Sequence, residues 1–475
     1  MSTFGGLRTA YSGLAAARAA IDVTGQNIAN ATTAGYTRQR VTQEAVGATG
    51  AGASIFVTGT GVGTGVNVTG IQRIDDQMVD QRLRSATASN SYWTVASGAM
   101  DTVEASLGEP SGTGLSATLG DFWASWQNLS NNPTLPSAGQ TVLSTAHQLA
   151  SQISSGYQTA DANWSNARSA AADTVARINE AAGQVAQLNT AILVTTAGGG
   201  TANELIDQRS TLLTSLSSMT GATVRTNSDN TVDVVVGGYT MVSSTTSRQL
   251  VLAGASTLAA AAGSPVHVEW ADKAGVAVEI DGGSLAGSLT ALAPASAGGS
   301  GGPFAEAAAL YNTLATTLAT KVNAAHSAGA TAAGTTGLVF FSFAAGGPAA
   351  TGLTVVPTGL SSIATAAVGS GAANGTVADA IGKIGDAADG PDRVWSGFVV
   401  AVGAQTRNAT TQATLTGATL TTATTAQSSQ NAVDLDEETT NLITFQHAYQ
   451  GAARMMTAID EMLDVLINRT GLVGR

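Results

Sequence analysis

The chain of 475 residues contains no cysteine. This absence excludes disulfides, thiolate chemistry and most structural zinc sites. Charged residues make up only 11% of the sequence, and no cluster of Lys or Arg occurs among them. The 20 basic and 32 acidic residues give a formal net charge of −12, which argues against a nucleic-acid or anionic membrane partner. No bulky apolar run is long enough to cross a bilayer, so we expect no membrane insertion.

We also expect no cleaved secretory signal, because the first residues show no basic segment followed by an apolar one. Two interpretations fit this absence together with the lack of cysteine. The protein is either cytoplasmic, or it is exported by a route that needs no cleaved signal.

Recognisable catalytic and metal-binding motifs are absent too. The four histidines, His147, His267, His326 and His447, are scattered and are interpreted as surface or helix-face residues. The glycine-rich tract from Gly59 to Gly65 does not match the dinucleotide-binding pattern in either register and predicts a turn. We therefore predict no catalytic, cofactor-binding or metal-binding residues, and no enzyme activity.

What the sequence does contain is a heptad ladder near its C-terminus. An apolar a/d repeat over four heptads predicts a helix that packs against other helices. Acidic residues open it, with Asp434 and Glu437 at capping-box spacing, and Arg469 and Gly471 close it. The ladder consists of Leu435, Leu442, Tyr449, Met456 and Leu463 in one row and Phe445, Ala452, Ile459 and Leu466 in the other.

The N-terminal segment carries a matching apolar row. Leu7, Leu14, Ile21 and Ile28 lie seven residues apart, with Tyr11 near the same seam. A helix is predicted over residues 3–29. Two amphipathic helices at opposite ends of one chain indicate that the termini pair with each other or with neighbouring subunits, which points to assembly.

Between the ends, the pattern changes from helical to β and back. All nine prolines lie between Pro110 and Pro391. Long helical patterns run over residues 75–107, from the loop at Pro136 to about residue 194, and over 203–219 and 304–326. From Gly221, valines alternate with polar residues between turn signals, which is typical of strands. The cluster Phe122, Trp123 and Trp126 is interpreted as core.

Several motifs then identify a resemblance. Ser12-Gly-Leu14, Asn27-Ile-Ala-Asn30 and Gly35-Tyr-Thr-Arg-Gln39 resemble the N-terminal signature of bacterial flagellar axial proteins. The last of these is similar to the hook-associated protein 1 group, the hook–filament junction proteins. Three further segments resemble the same group. They are Val433–Glu438 with Phe445–Gln450, Leu205–Arg209, and Lys321–His326.

The resemblance implies a structural protein of the flagellum that joins hook to filament by self-assembly through its terminal helices. It implies secretion through the flagellar type III apparatus, with a final location at the hook–filament junction. The implied partners are other copies of the chain in a ring, the hook protein, the next hook-associated protein toward the filament, and an export chaperone on the C-terminal helix. The apolar positions of both ends, listed above from Leu7 to Ile28 and from Leu435 to Leu466, are the expected assembly interface.

The expected fold class is α+β multidomain, with terminal coiled-coil helices, a long-helix bundle built from both ends of the chain, and an inserted β-rich outer domain. Residues 1–35 and 431–475 form the terminal helices, which the resemblance implies are disordered in the monomer. The mainly helical domain takes 36–220, 303–330 and 375–430, and the β-rich domain takes 221–302 and 331–374. Two alternatives remain open, a hook or rod protein, and an axial scaffold that carries a glycan-binding or enzymatic β module.

Overall fold

A computed structural model describes residues 3–46 and 63–469. The predicted stop at Gly471 and most of the Gly59–Gly65 tract lie outside these residues. In the described part the helices are α1 Thr3–Ala29, α2 Gln77–Leu107, α3 Leu115–Asn131, α4 Pro136–Ala197, α5 Asn203–Thr220, α6 Gly283–Ala291, α7 Pro303–Ser327, α8 Ala349–Gly352, α9 Thr376–Gly382, α10 Pro391–Asn431 and α11 Leu435–Asp464. The strands are β1 Gln39–Ala45, β2 Val66–Arg73, β3 Thr223–Thr226, β4 Val232–Val236, β5 Tyr239–Ser243, β6 Thr246–Ser247, β7 Leu250–Ala253, β8 His267–Trp270, β9 Lys273–Val278, β10 Gly329–Ala330, β11 Phe341–Phe343, β12 Leu353–Val355 and β13 Ala366–Ala367.

The two ends of the chain pack against each other as a pair of antiparallel helices, α1 and α11, which we call the terminal hairpin. Gly6 lies beside Ile459 and Gly13 beside Ala452, whereas Asn27 reaches Glu438 at the other end. Residue numbers thus rise along α1 as they fall along α11. The predicted pairing of the two termini is confirmed, and α1 spans the predicted residues 3–29.

The face that α1 turns toward α11 is lined by small residues. Gly6, Gly13 and Asn27 contact α11 directly, and they lie one position before Leu7, Leu14 and Ile28 of the predicted apolar row. The buried residues of α1 are mostly small, namely Ala10, Ala16, Ala17, Ala20, Val23, Thr24 and Asn27. A Cβ atom on Gly6 would lie 3.3 Å from Cδ1 of Ile459, so the two helices approach closely. The predicted row Leu7, Leu14, Ile21 and Ile28 lies beside this contact and stays half-buried. Small residues are favoured at this contact because they let the backbones of the two helices come close.

A β-hairpin, β1 paired antiparallel with β2, lies against α1 and connects it to the body. The hydroxyl of Ser12 accepts a hydrogen bond from the backbone N–H of Val66 at 3.2 Å. Gly65 has φ +115°, and a Cβ there would lie 2.1 Å from the Ser12 hydroxyl, so only glycine fits. Both strands of this hairpin therefore pack against α1 of the terminal hairpin.

The body is a bundle of long helices. α4 has 62 residues and is the longest helix described; at ~1.5 Å per residue it is about 90 Å long. It packs against α3, α5 and α7, while α2 lies along α10, α5 and α6. The helices begin and end close to the predicted residues, because glycine and proline mark those ends in the sequence.

The β part forms two small antiparallel sheets on the side of α4. One has the strand order β3-β4-β5-β6 and the other β7-β8-β9. A short helix, α6, follows them within the range predicted to be β-rich, and β11 with β12 forms a separate pair further along. The α+β multidomain fold class is confirmed, and the domain boundaries stay a prediction.

The core is built around a few large aromatic side chains. Phe122, Trp126, Trp164, Trp395 and Phe340 are all less than 2% exposed. The predicted core role of the aromatic cluster on α3 is thus confirmed. Trp123 also donates from its indole Nε1 to Asp392 at 2.9 Å, which ties α3 to the start of α10.

One histidine departs from the predicted surface position. His326 is completely buried at the end of α7. Its Nε2 accepts from the backbone N–H of Ala364 at 2.9 Å, so its Nδ1 carries the proton and donates to the carbonyl of Leu338 at 2.8 Å. Burial lowers the pKa of His326, and the bond to Leu338 opposes this. The side chain therefore holds the 338–364 segment on α7 as a neutral ring.

Candidate functional site

The segment that follows α1 turns back onto the terminal hairpin through Asn27. Its Oδ1 accepts from the Tyr36 hydroxyl at 2.8 Å and from the backbone N–H of Gln39 at 3.0 Å. Its Nδ2 donates to the carbonyl of Gln39 at 2.9 Å and to Oε2 of Glu438 at 3.1 Å. One buried amide side chain thus joins α1, the segment after it and α11.

Arg38 completes this arrangement with two glutamates at the start of α11. Its Nε donates to Oε1 of Glu438 at 2.7 Å, and its two terminal nitrogens donate to Glu437 at 3.0 and 2.7 Å. The side chain of Glu438 is 2% exposed and that of Glu437 is 56% exposed. We call Asn27, Tyr36, Arg38, Glu437 and Glu438 the neck cluster.

The charges of the neck cluster shift the pKa of its members in consistent directions. The bond to Glu437 raises the pKa of Arg38, and the same bond lowers the pKa of Glu437. Burial raises the pKa of Tyr36 to about 12, with further contributions from Asp207, Glu204 and Glu438. Arg38 and Glu437 are therefore charged, and Tyr36 neutral, at physiological pH.

The predicted capping box at the start of α11 is only half formed. Asp434 does accept from the backbone N–H groups of Asp436 and Glu437, at 2.9 and 3.2 Å. Glu437 does not reach back to the cap, because its carboxylate binds Arg38. Asp434 therefore caps α11 as predicted. Glu437 and Glu438 lie in the first turn, where acids favour the helix dipole, and they also bind Arg38.

A second group of charges, which we call the body cluster, lies next to the first and consists of Thr37, Arg73 and Asp207. Arg73 donates from Nε to Asp207 at 2.9 Å, and the backbone N–H of Thr37 donates to the same carboxylate at 3.1 Å. The side chains of Arg73 and Asp207 are each 9% exposed. Burial raises the pKa of Asp207, and Arg73 opposes that rise.

The two clusters are adjacent because Thr37 and Arg38 are consecutive. The side chain of Arg38 binds Glu438 on α11, while the backbone N–H of Thr37 donates to Asp207 on α5. Asn203 at the start of α5 adds a bond from its Nδ2 to Oε1 of Gln39 at 2.9 Å. The arrangement connects the terminal hairpin to the helical body through buried, charge-assisted hydrogen bonds, which are stronger than neutral ones.

The predicted interface residues lie along the terminal hairpin at different depths. Ile459 is 7% exposed and contacts α1, and Tyr449 is 37% exposed. The part-buried members are Leu7, Leu14, Ile21, Ile28, Leu442, Phe445, Met456 and Leu463. Tyr11, Leu435 and Leu466 are exposed at 65%, 50% and 57%.

The sequence patterns predicted a cap role for Glu437 but no role for Asn27, Arg38 or Asp207. The signal was available, since Asn27, Arg38 and Asp207 all belong to the motifs that carry the flagellar resemblance. The start of α11 also carries four acids, Asp434, Asp436, Glu437 and Glu438, which is more than a helix cap needs. Pairing them with Arg38 needs the tertiary structure, because about 400 residues of chain separate the partners.

The described residues contain no group of His, Asp and Glu arranged to hold a metal ion. No helix within residues 3–46 and 63–469 is long and apolar enough to cross a membrane.

Three family models match the sequence. The flagellar hook-associated protein FlgK helical domain matches residues 100–341. The flagella basal body rod protein model matches residues 7–37, and the flagellar basal body rod FlgEFG protein C-terminal model matches residues 428–469. The rod models thus cover the two helices of the terminal hairpin, with the segments that join them to the body.

Individual proteins are similar along much of the chain. Flagellar hook-associated protein 1 of Bacillus subtilis is 30% identical over 513 aligned positions, which cover 100% of both chains. That of Salmonella typhimurium is 33% identical over 59% of this chain and 50% of its own length. The structure of the flagellar hook junction protein FlgK from Burkholderia pseudomallei matches with a TM-score of 0.61 at 16% identity, covering 74% of this chain and 100% of that one.

Proposed function

The chain belongs to the flagellar hook-associated protein 1 (FlgK) family, structural proteins of the hook–filament junction, and on that premise we propose that it assembles there through its terminal hairpin. The FlgK helical-domain model covers 100–341, whereas the rod-protein models match only the ends. The chain is therefore a member of the junction family and is not a rod or hook protein. In this role the chain acts by packing and not by catalysis.

The observation that supports assembly through the hairpin is the large apolar surface that it leaves exposed. Contiguous exposed apolar patches on soluble proteins mark interaction surfaces. Neighbouring copies of the chain, the hook protein and the next hook-associated protein toward the filament are the proposed partners. The exposed residues, which go beyond the predicted rows, include Phe4, Tyr11, Leu435, Ile443, Met455, Met462, Val465, Leu466 and Ile467.

The small-residue contact between α1 and α11 explains why this surface exists. The small residues at the contact let the two helices approach closely. The large apolar side chains therefore lie beside the contact and are only partly buried. Burying one large apolar side chain contributes on the order of 1.5–3 kcal/mol. The half-buried rows from Leu7 to Ile28 and from Leu442 to Leu463 are thus suited to completing their burial against neighbouring subunits.

The neck and body clusters are proposed to transmit force between the inner helices and the outer body. A hairpin held by apolar contacts alone could slide, because such contacts are non-directional. The bonds of Arg38 to Glu437 and Glu438 fix its orientation instead. We further propose export through the flagellar type III apparatus, with a chaperone on the C-terminal helix before assembly.

A substitution in the half-buried row of α11 tests this function. Leu442→Asp is expected to leave the helical body folded, because Leu442 contributes to the hairpin and not to the main core. A charge at an interface position disfavours burial, so assembly onto hooks is expected to fail. The measurement is complementation of a deletion strain, scored by electron microscopy as hooks without filaments and by flagellin shed to the medium.

Ser151→Asp is the control, since Ser151 is exposed on α4, a helix of the body that does not belong to the terminal hairpin. It is expected to restore filaments. Circular dichroism and thermal unfolding of both purified variants establish that the body remains folded. Normal filament growth with Leu442→Asp would overturn the proposed assembly surface.

A further inference from the structure

An open cleft of about 310 Å³ lies behind the body cluster, between β2, α2, α5 and the first β sheet. Its walls carry three arginines, Arg73, Arg84 and Arg209, and two acids, Asp75 and Asp80. A water molecule takes up roughly 30 Å³, so the cleft has room for a small ligand. Neither the neck cluster nor the terminal hairpin lines it.

Arg209 is the buried cation of this cleft, with 5% of its surface exposed. Its Nη1 donates to Oδ1 of Asn189 at 2.8 Å and to the carbonyl of Asn230 at 2.6 Å. Its Nε is buried and has no acceptor among the described residues. Both bonded partners are uncharged, so the guanidinium has a hydrogen-bonded side and a side without a partner.

The side without a partner is the one suited to anions. The Nε–H of a guanidinium and one N–H of its Nη2 point the same way, and carboxylates and phosphates bind this edge through two parallel hydrogen bonds. Burial lowers the pKa of Arg209 to about 10, with Arg73 contributing further. The group therefore stays protonated at neutral pH, and a buried charge without an opposite one is costly.

The other charged residues of the cleft differ in whether they already have a partner. Arg73 is already paired with Asp207 and Asp75, at 2.7 and 3.1 Å. Asp80 accepts from Gln427 at 2.7 Å. Arg84 is half-buried and makes no ion pair within the described ranges, although the charge of Asp80 opposes the lowering of its pKa by burial. Arg209 is thus the cation whose bonded partners are all uncharged, while Asp80 offsets part of the charge of Arg84.

We propose that this cleft binds a small oxyanion, such as inorganic phosphate or sulfate, between Arg209 and Arg84. In this site the Nε–Nη2 edge of Arg209 binds two oxygens of the anion. Arg84, which is more exposed and lies on α2, supplies a second cation. A bound oxyanion would connect α5, α2 and the loop at Asn230, which joins β3 to β4. It would therefore stiffen the connection between the helical body and the β sheet.

Isothermal titration of the full-length protein with sodium phosphate, at constant ionic strength and pH 7, tests the proposal directly. One phosphate per chain is expected to bind, and phosphate is expected to raise the Tm more than chloride at equal ionic strength, because a ligand of the folded state stabilises it. Sulfate is expected to compete. The absence of saturable binding, or equal competition by chloride, would overturn the site.

Two variants assign the residues. Arg84→Gln is expected to weaken phosphate binding at least tenfold while the protein remains folded, since Arg84 is only half-buried. Arg209→Lys keeps the charge but loses the Nε–Nη2 edge, and a similar loss is expected. Arg248→Gln, a change at a surface ion pair with Asp272 remote from the cleft, is the control and should bind as the wild type does. Unchanged affinity in Arg84→Gln would overturn the proposal even if Arg209→Lys fails to fold.

Discussion

Replacing Glu438 by Gln is expected to loosen the base of the terminal hairpin, whereas the same replacement at Glu437 is expected to have little effect. The two residues are neighbours and bind the same guanidinium, that of Arg38. They differ in exposure, at 2% for Glu438 and 56% for Glu437. The pair therefore isolates the contribution of burial.

The expected cost at Glu438 follows from its two partners. One carboxylate oxygen accepts from Arg38 and the other from Asn27, at 2.7 and 3.1 Å. A glutamine places its NH₂ against one of these donors, and a buried donor left without an acceptor costs about 1–3 kcal/mol. The bond that remains loses its charge, which weakens it by roughly 1 kcal/mol. The sum is about 2–4 kcal/mol.

At Glu437 the corresponding cost is small, because exposed ion pairs contribute about 0–1 kcal/mol. Arg38 would still be bound by Glu438 in that variant. Arg38 would also keep its backbone bond, in which its N–H donates to the carbonyl of Asn431 at 3.0 Å.

Hydrogen exchange measured by NMR or mass spectrometry reports the local opening. The amide of Gln39, which donates to Asn27, and that of Ile74, which donates to the carbonyl of Arg38, are the reporters. Since 1.4 kcal/mol is a factor of ten, Glu438→Gln should reduce their protection by roughly thirtyfold to several hundredfold. Amides in the middle of α4 should be unaffected in both variants.

Equal effects of the two replacements would refute the reasoning, because burial would then not decide the cost. So would an absence of protection at Gln39 in the wild-type monomer, since the neck cluster would not be formed before assembly. The resemblance implies disorder of residues 1–35 and 431–475 in the monomer, and the neck cluster narrows this expectation. Disorder is expected only beyond the cluster, in the parts of α1 and α11 that are joined by the small-residue contact alone.

Two other predictions concern the body of the protein. Gly156→Ala would place a Cβ 2.2 Å from Cζ of the buried Tyr311, so a destabilisation of about 1–3 kcal/mol is expected. Gly183→Ala in the same helix meets nothing within 4 Å and is expected to stabilise by roughly 0.5–1 kcal/mol; a rise in Tm for both variants would contradict the packing around Gly156. Burial lowers the pKa of His326, so its unfolded form takes up the proton first and stability is lost as pH falls below the unfolded value of about 6.5. The Tm advantage of the wild type over His326→Gln should therefore shrink between pH 7 and pH 5, and a constant difference would argue against the neutral ring bonded to Ala364.

The sequence alone determined the long helices α1, α2, α4, α5, α7 and α11, because their signals are local, but it did not predict α6 within the β-rich range. Gly108 and Gly221 end α2 and α5 in the left-handed conformation, and Pro136 starts α4. The alternating valines after Gly221 indicated strands for the same reason. Motifs at both ends were enough to identify the family, since their spacing can be read without knowing any contact.

Only the tertiary structure decided which surfaces meet. The heptad pattern marked the large apolar residues of α1, but the residues that meet α11 most closely include Gly6 and Gly13, because close approach of two backbones favours small side chains. Local sequence likewise assigned Glu437 to a helix cap. Its partner Arg38 lies 399 positions away, and a contact between residues so distant in the chain is set by how the body folds.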